Sequence, residues 1–314
     1  MTRSLLYTFL AGLIIAPFFG LSILGIIYSY FFPSPEILSL SQTVLVYSSI
    51  IYLFLGIVVV VRFFVFTPVF PLPPRIVRND DLGRISITVA MTAYNDEGVV
   101  GKAVKDFKAH PMVKEVIVID NNSRDNTAEE ARKSGAIVVR EAIQGFGAAA
   151  LRAIKEASKT GNYALIVEGD QTFIAKDIDK FVSYIRNADV VIATRTTKEL
   201  STPDSQITNL IRYGNVFIAK LLQLKYWGTI RLTDVGGFMR LIRPDVLKKT
   251  LPDLRNTGNA FACHMIDIFL KKGYRVIEIP VYFKKRGGIS KGIGSDFIKG
   301  FPSGLKMIWG LMIE

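Results

Sequence analysis

The sequence predicts an α/β domain built on a mostly parallel central sheet, preceded by two membrane-spanning helices. Three observations lead to this prediction. Two long uncharged stretches lie near the N-terminus, a proline-rich stretch follows them, and short apolar runs then alternate with helical patterns. Alternating strands and helices favour parallel strand pairing, with helices covering both faces of the sheet.

Each uncharged stretch is long enough to cross a bilayer. Leu5 to Phe32 runs for about 28 residues and Val44 to Val61 for about 18, and a hydrocarbon core is roughly 30 Å thick. A short hairpin is expected between them at residues 33–42, which contain two prolines and no Lys or Arg. The first stretch is much longer than the apolar region of a signal peptide, which argues against cleavage.

Basic residues flank the outer ends of the two predicted spans. They are Arg3, Arg62, Arg75 and Arg78. By the positive-inside rule, this asymmetry places the N-terminus and the large domain in the cytoplasm. The expected location is therefore a membrane, crossed twice, with the large domain on the cytoplasmic side.

A proline-rich stretch, Thr67 to Pro74, is typical of a stiff linker. It divides the chain into an anchor with its linker at 1–78 and a large domain at 79–295. The remaining segment, 296–314, has an amphipathic pattern. It fits either a helix lying at the membrane surface or a helix packed on the domain's own core.

The composition narrows the range of partners. A formal net charge of +12 favours an anionic partner. Because no nucleic-acid-binding motif occurs, we predict anionic lipid headgroups rather than nucleic acid. Cys263 is the single cysteine, which excludes an intrachain disulfide and agrees with a reducing compartment. We expect it to be a buried, unreactive thiol.

Buried-type apolar runs predict the strands of the large domain, and helical periodicity between the runs predicts its helices. The first strands are predicted at 85–93, 115–119, 136–140, 163–167 and 189–194, and the helices at 97–109, 126–134, 147–160 and 177–187. A longer helix is predicted at 205–226, a strand at 238–242, a helix at 260–272 and an edge strand at 274–283.

Two carboxylates, Glu168 and Asp170, end the apolar run that begins at Ala164. Paired carboxylates at the end of a strand can hold a hard divalent cation, which in turn bridges to phosphate oxygens. Taken alone, this spacing also fits an ordinary solvated loop. Upstream, however, two further buried-type strands run into polar turns at 94–97 and 120–127, and ligands bind beyond such strand ends in open α/β sheets.

These motifs, in this order, resemble the family 2 glycosyltransferases of the GT-A fold. Within that family the resemblance is to the dolichyl-phosphate mannose synthase and polyprenyl-phosphate sugar transferase branch, and it covers roughly residues 85 to 295. It implies a Rossmann-like GT-A catalytic domain and a divalent metal, Mg²⁺ or Mn²⁺. The implied metal site consists of Glu168, Asp170 and Gln171.

The resemblance also implies a site for the nucleotide-sugar donor, formed by strand ends, a glycine turn and a basic loop. Two residues depart from the family pattern: Glu168 replaces the usual first Asp of the metal motif, and Phe146 stands where Lys is frequent. The implied donor-binding residues are Ala93, Tyr94, Asn95, Glu97, Asp120, Asn122, Asp125, Gly145, Lys285, Arg286 and Lys291.

Four residues are implied to act in catalysis: Asp170, Asp234, Arg195 and Arg212. Asp170 would stabilise the leaving diphosphate through the metal. The two arginines match phosphate contacts of the family, and Arg212 would face the acceptor phosphate. For both arginines a surface salt bridge is the alternative. Asp234 lies where the family keeps an acid near the acceptor.

The stretch 258–265 contains no carboxylate, and His264 stands where relatives often have Glu. A hydroxyl acceptor needs a carboxylate base, whereas a phosphate acceptor is already anionic. This difference favours a phosphate acceptor. We expect His264 to be packed within a helix rather than to act as a base.

The resulting hypothesis is a membrane-anchored, inverting glycosyltransferase. It would move a hexose from a GDP- or UDP-hexose to a polyprenyl or dolichyl-type phosphate at the lipid bilayer. One alternative keeps the fold but glycosylates a glycolipid or polysaccharide hydroxyl, with Asp234 or Asp267 as base. Another is an inactive nucleotide-sugar-binding scaffold. The sequence leaves open the base, the sugar, the metal and whether the chain forms a homo-oligomer.

Overall fold

The computed structural model describes residues 3–61, 85–226, 229–255 and 258–287, together with residues 304, 305, 307, 308, 310 and 311. The chain forms two compact units, a helical N-terminal one and a larger α/β one. Several sequence predictions fall outside the described residues. These are the linker at 67–74, the basic residues Arg62, Arg75, Arg78 and Lys291, and most of the segment 296–314.

The helical unit contains two long helices, α1 (Arg3–Phe31) and α2 (Pro35–Val61). By length and composition, Leu10–Phe31 and Pro35–Val58 could each span a membrane. The two helices are joined by side-chain contacts. The Tyr52 hydroxyl donates a 2.9 Å hydrogen bond to the Gly12 carbonyl, and the Phe19 and Tyr52 rings meet edge to face.

The hairpin predicted at residues 33–42 is wrong for most of its length, because α2 already begins at Pro35. Proline suits the first position of a helix, where its missing N–H is not needed and its φ is already helical. Ser34 lies at the N-cap, with its hydroxyl 3.5 Å from the Ile37 amide, and Glu36 follows in the first turn. The Pro-Ser-Pro-Glu pattern therefore marks a helix start rather than a loop.

The α/β unit contains seven strands and seven α-helices within the described residues. The strands are β1 (Ile87–Ala93), β2 (Val113–Asp120), β3 (Ile137–Arg140), β4 (Tyr163–Glu168), β5 (Val190–Thr194), β6 (Arg240–Ile242) and β7 (Val276–Pro280). The helices are α3 (Val100–Lys108), α4 (Thr127–Lys133), α5 (Phe146–Ser158), α6 (Ile178–Ile185), α7 (Asn209–Lys225), α8 (Pro244–Thr250) and α9 (Phe261–Lys271).

The seven strands form one sheet in the order β3-β2-β1-β4-β6-β5-β7. All neighbouring strands are parallel except β6, which is antiparallel to both β4 and β5. The mostly parallel sheet is confirmed, and β7 lies at its edge as predicted. Helix α8 is an element that the sequence did not predict.

The central strands are buried on both faces, as their continuous apolar sequences require. Val89 and Met91 of β1 and Leu165 of β4 belong to the core on one face, where they pack with Phe107 and Phe181 from the helices. All five are at most 1% exposed. This packing fixes the carboxyl ends of β1, β2, β4 and β5 at one edge of the sheet. Since β6 is antiparallel, the turn that precedes β6 lies at that same edge.

Candidate active site

Hydrogen bonds join the turns after β1 and β2, because side chains of each turn accept backbone amides of the other. The Asn95 amide donates to Ser123 Oγ, and Asn95 Oδ1 in turn accepts the Arg124 amide at 2.8 Å. The Glu97 amide donates to Asp125 Oδ2. Asn95 has φ +47°, a left-handed conformation that Asn tolerates better than most residues. The two polar turns therefore form one rigid surface.

The residues predicted to bind the donor in these turns do lie close together, and several bond to neighbouring residues. Glu97 accepts the side-chain amide of Asn126 at 2.8 Å. Asp120 Oδ1 accepts the Ser123 amide, and Asn122 accepts Arg140 at 2.6 Å. Tyr94 donates its backbone amide to Asp96, and Ala93 accepts the Asn121 amide.

Asn121 organises the next part of the site, although the sequence did not single it out. Its side chain is buried and donates to the Ile143 carbonyl at 2.6 Å, while its Oδ1 accepts the Gly145 amide at 2.9 Å. Gly145 has φ +139°, which a side chain would strain, and it begins α5. The adjacent Phe146, which replaces the frequent Lys, packs against Phe238 with ring centroids 4.7 Å apart.

The turn after β4 carries the predicted metal ligands. Asp170 is 2% exposed, and its Oδ1 accepts both the amide and the hydroxyl of Thr172, the latter at 2.6 Å. These bonds direct the other oxygen, Oδ2, away from Thr172. Gln171 has φ +65° and lies beside Gly287, where an added Cβ would sit 3.1 Å from Gln171 Oε1.

Electrostatics favour a cation between Glu168 and Asp170. Burial, together with the nearby Asp170 carboxylate, raises the pKa of Glu168 to about 7. A divalent ion would relieve that repulsion. Among the described residues, no three His, Cys, Asp or Glu side chains gather into a metal site. Mg²⁺ and Mn²⁺ nevertheless need few carboxylates when waters and phosphate oxygens complete the shell, so the donor set fits such an ion.

A basic loop, residues 284–287, lies across this turn. The Lys284 amide donates to the Thr172 carbonyl and the Gly287 amide to the Asp170 carbonyl. Arg286 Nε is 3.4 Å from Asp170 Oδ2, and Arg286 Nη2 is 3.5 Å from Asp96 Oδ1. The loop thus places a guanidinium between two buried carboxylates.

Asp96 and Lys285 differ from the predicted set of donor-binding residues in opposite ways: Asp96 lies at the site without having been predicted there, and Lys285 was predicted there but bonds elsewhere. Asp96 is 3% exposed and faces the site, although the sequence pattern points to its neighbours Asn95 and Glu97 instead. Lys285 was predicted to contact the donor, but its ammonium pairs with Asp204 at 3.3 Å, and both side chains are largely exposed.

Arg195 and Asp234 form a buried, two-pronged ion pair. Arg195 Nε and Nη2 donate to the two Asp234 oxygens at 2.7 and 2.9 Å. The Asp234 carboxylate also accepts the amides of Arg195, Gly236 and Gly237. Burial would raise the pKa of Asp234, but Arg195 and the backbone donors outweigh it and hold that pKa below its usual range. The surface salt bridge considered for Arg195 is therefore replaced by a buried one.

Glu278, on β7, holds the turn in which Asp234 lies. Its carboxylate accepts the amides of Thr233 and Asp234 and the hydroxyl of Thr233, with shortest distances of 2.8 Å each. The Thr233 hydroxyl also lies 2.9 Å from that of Thr194 and 2.7 Å from that of Thr196. The sequence pattern does not indicate this role for Glu278, since the residue lies inside a predicted edge strand.

Arg212, on α7, lacks an ion-pair partner among the described residues, and its buried Nε has no hydrogen-bond partner there. One turn further along α7, Asn215 Oδ1 accepts the Gly236 amide at 3.0 Å. An added Cβ on Gly236 would lie 2.8 Å from Arg195 Nη2. Since residues i and i+3 share a helix face, Arg212 lies on the side of α7 that approaches Arg195.

Three further residues weighed from the sequence lie on α9, and all are buried. Cys263 is 2% exposed, in agreement with the expected buried thiol. His264 is 7% exposed, consistent with a packed histidine. Asp267, the alternative base, is fully buried.

The sequence of this chain is similar to those of known glycosyltransferases. The family model described as "Glycosyl transferase family 2" matches residues 88–251. A dolichyl-phosphate hexose transferase of Haloferax volcanii is 28% identical over 206 residues, which cover 65% of this chain and 86% of that protein. The low-salt glycan biosynthesis hexosyltransferase Agl6 of the same organism is 26% identical over 235 residues, covering 73% of this chain and 54% of that protein.

Solved structures share the fold. Glucosyl-3-phosphoglycerate synthase from Mycobacterium tuberculosis, in complex with Mn²⁺, UDP-glucose and phosphoglyceric acid, superposes with a TM-score of 0.55. The match covers 74% of this chain and 79% of that one at 14% sequence identity. The GT-A type of fold expected for the α/β domain is confirmed by this likeness.

Proposed function

This chain belongs to glycosyl transferase family 2, and we propose that it moves a hexose from a nucleotide sugar to a polyprenyl phosphate at the cytoplasmic face of a membrane. The family membership makes it a glycosyltransferase. The name of the Haloferax volcanii relative, a dolichyl-phosphate hexose transferase, supports a lipid phosphate as the acceptor. The donor would be a UDP- or GDP-hexose, and transfer would invert the anomeric centre.

The observation that carries the proposal is the environment of Arg212. A guanidinium with no counter-ion among the described residues is suited to bind an anion. Guanidinium groups bind phosphate with two parallel hydrogen bonds, that is, in a bidentate manner. The same helix exposes Leu210, Tyr213 and Phe217, which follow helical spacing and are 49, 69 and 41% exposed. A cation and an apolar stripe on one helix match a substrate with an anionic head and a hydrocarbon tail.

On the donor side, the diphosphate would lie against the turn after β4. When bound there by Glu168 and Asp170, a divalent metal would neutralise charge that builds up on the leaving diphosphate. Arg195 and Arg286 contribute further positive charge from fixed positions. Donors that are already oriented cost little reorganisation during the reaction, which is why such sites accelerate it.

Neither Asp234 nor Asp267, the two carboxylates considered as a base for a hydroxyl acceptor, is suited to that role, and this favours a phosphate acceptor. Asp234 is committed to Arg195, and its pKa is held below the usual range, so it is a poor proton acceptor. Asp267 is fully buried within α9. A phosphate monoester needs no base because it already carries negative oxygens.

The two departures from the family pattern are compatible with activity. Glu168 keeps the negative charge of the usual Asp with one more methylene. Phe146 packs on Phe238, so the missing Lys is replaced by a contact between two aromatic rings. We therefore favour an active enzyme over the inactive scaffold.

The two apolar helices would hold the active site at the depth where a lipid phosphate lies. In this proposal residues 1–78 form the anchor and linker, 79–295 the catalytic domain and 296–314 a C-terminal segment. Deleting residues 1–78 should reduce transfer to a long-chain lipid far more than hydrolysis of the nucleotide sugar, both measured with the purified protein. An equal fall in the two activities would mean that the helices support the fold instead.

The function is tested by incubating the purified full-length protein with UDP- and GDP-hexoses, polyprenyl phosphate and Mg²⁺ or Mn²⁺. We expect a lipid product heavier by one hexosyl unit and labile to mild acid, as a sugar phosphodiester should be. An acid-stable product on a glycolipid hydroxyl would favour the alternative acceptor. If no donor gave nucleotide release, the chain would be a binding protein.

Replacing Arg212 with Ala should raise the KM for polyprenyl phosphate more than about tenfold and leave the KM for the nucleotide sugar nearly unchanged. A charge-assisted hydrogen bond contributes roughly 1.5 to 3 kcal/mol, which sets this magnitude. Steady-state kinetics with each substrate varied in turn measure the effect.

Two variants control for the loss of a positive charge. Arg212→Lys keeps the charge but loses the two-pronged geometry, and it should lie between the wild type and Arg212→Ala. Arg132→Ala removes an exposed cation on α4 and should change neither KM. If Arg212→Ala weakened nucleotide-sugar binding instead, the acceptor site would be misplaced and the hydroxyl-acceptor alternative would gain support.

A further inference from the structure

Glu278 directs its hydrogen bonds to a single turn. Within the described part of the chain, its carboxylate bonds only to Thr233 and Asp234, through two backbone amides and one hydroxyl. Glu278 lies on β7, opposite Ile192 of β5. A carboxylate that accepts several bonds from one turn fixes the orientation of that turn.

The turn that Glu278 binds is the one that contains Asp234. While the Asp234 amide is bound to Glu278, its carboxylate is bound to Arg195 and to the amides of Gly236 and Gly237. The turn also lies against the end of β5, because an added Cβ on Gly237 would sit 2.6 Å from the Ala193 carbonyl. A shift of the turn would therefore shift the Asp234 carboxylate.

Arg195 depends on Asp234 for its position. Its side chain is only 13% exposed, and both of its donating nitrogens that point inward are bound to Asp234. Its guanidinium also lies over the Phe283 ring, 5.5 Å from the centroid. Phe283 directly precedes the basic loop, whose Lys284 amide donates to the Thr172 carbonyl in the turn after β4. The guanidinium therefore acts on the donor side of the site.

We propose that Glu278 is a positioning residue, which fixes Arg195 at the donor diphosphate by holding the Thr233–Asp234 turn. This inference rests on the proposed function only in assigning the diphosphate as the group that Arg195 meets. The chain of contacts runs from β7 through the turn to Asp234 and then to the guanidinium. Glu278 itself touches no substrate.

Glu278→Gln is the sharpest variant because it keeps the shape of the side chain. Both carboxylate oxygens accept backbone amides, whereas a Gln amide has a single oxygen and would turn its NH₂ group toward one of these donors. The turn should therefore loosen without leaving a cavity. A backbone N–H of the turn that loses its acceptor is costly, so the expected effect is measurable.

A double-mutant cycle separates positioning from general stability. Titration calorimetry with UDP and with GDP, each with Mn²⁺, would be done on the full-length wild type, Glu278→Gln, Arg195→Ala and the double variant. We expect Glu278→Gln to weaken nucleotide binding about tenfold in the wild type, as for one charge-assisted contact, and less than about twofold in the Arg195→Ala background. Equal losses in both backgrounds would overturn the proposal.

Glu115→Gln provides the matched control. Glu115 is also a strand carboxylate, on β2, and it accepts the Thr88 hydroxyl at 3.0 Å. Its substitution makes the same chemical change away from Arg195 and should leave nucleotide affinity unaltered. If Glu278→Gln does not fold, Glu278→Asp keeps the charge, shortens the reach by one methylene and should show the same dependence on Arg195.

A second readout needs no nucleotide and so distinguishes failure of this inference from failure of the proposed function. In protein labelled with ¹⁵N-arginine, the Arg195 Nε–H resonance can be assigned by its loss in Arg195→Lys. We expect Glu278→Gln to shift or broaden it and Glu115→Gln to leave it in place. An unchanged resonance in Glu278→Gln would refute the positioning role, whether or not the protein binds UDP or GDP.

Discussion

Replacing Asp170 with Asn should lower hexosyl transfer by about a hundredfold or more while the protein stays folded. The Thr172 amide and hydroxyl both donate to Asp170 Oδ1, and the Asn carbonyl oxygen can accept them in the same way. The NH₂ group then replaces Oδ2, the oxygen that faces Arg286 and would face a metal. The magnitude is that of removing one dedicated electrostatic stabiliser from an active site.

The measurement is transfer rate at saturating donor, with Mn²⁺ binding followed separately by electron paramagnetic resonance. Asp179→Asn is a suitable control because it makes the same change on an exposed carboxylate of α6. Both variants should melt at nearly the wild-type temperature. Near-wild-type transfer by Asp170→Asn would show that the metal site has been assigned to the wrong turn.

Replacing Asp234 with Ala should destabilise the folded domain by about 3 to 5 kcal/mol, because it leaves the Arg195 guanidinium buried without its counter-ion. The amides of Gly236 and Gly237 would lose their acceptor at the same time. The free energy of unfolding, from denaturant titration, measures the loss. Transfer activity should fall as well, because Arg195 would no longer be held.

Two comparisons test this explanation. The double variant Arg195→Ala/Asp234→Ala should be more stable than Asp234→Ala alone, because no isolated charge then remains buried. Glu129→Ala breaks an exposed ion pair with Lys133 on α4 and should hardly move the unfolding midpoint. If Asp234→Ala unfolded at the wild-type denaturant concentration, the ion pair would contribute nothing to the fold.

The elements with strong local patterns were predictable from the sequence. Continuous apolar runs located β1, β2, β4 and β5 to within two residues at each end, because parallel strands buried on both faces tolerate few polar residues. The acids at the ends of these runs, Glu168 and Asp170 among them, could be recognised for the same reason. The carboxyl ends of parallel strands meet at one edge, whatever the details of the loops.

The rest of the site depends on contacts between residues distant in the sequence. Asp96 and Asn121 each stand among other polar residues of a turn, and only the fold shows that these two are buried and bond across the site. Glu278 lies in an edge strand, where an acid normally points to solvent. Its partners at Thr233 and Asp234 lie at the site only because β6 is antiparallel, a direction that a three-residue strand does not reveal.

The position of β6 between β4 and β5 means that the sheet cannot be completed early during translation. Both β4 and β5 leave the exit tunnel well before Arg240–Ile242, yet each pairs with β6 on its inner side. At synthesis rates of roughly 5 to 20 residues per second, the nascent sheet exposes an unpaired β4 edge for several seconds. An unpaired strand edge can pair with strands of other chains. We therefore expect this enzyme to depend on chaperones during translation more than a protein whose strands pair in sequence order.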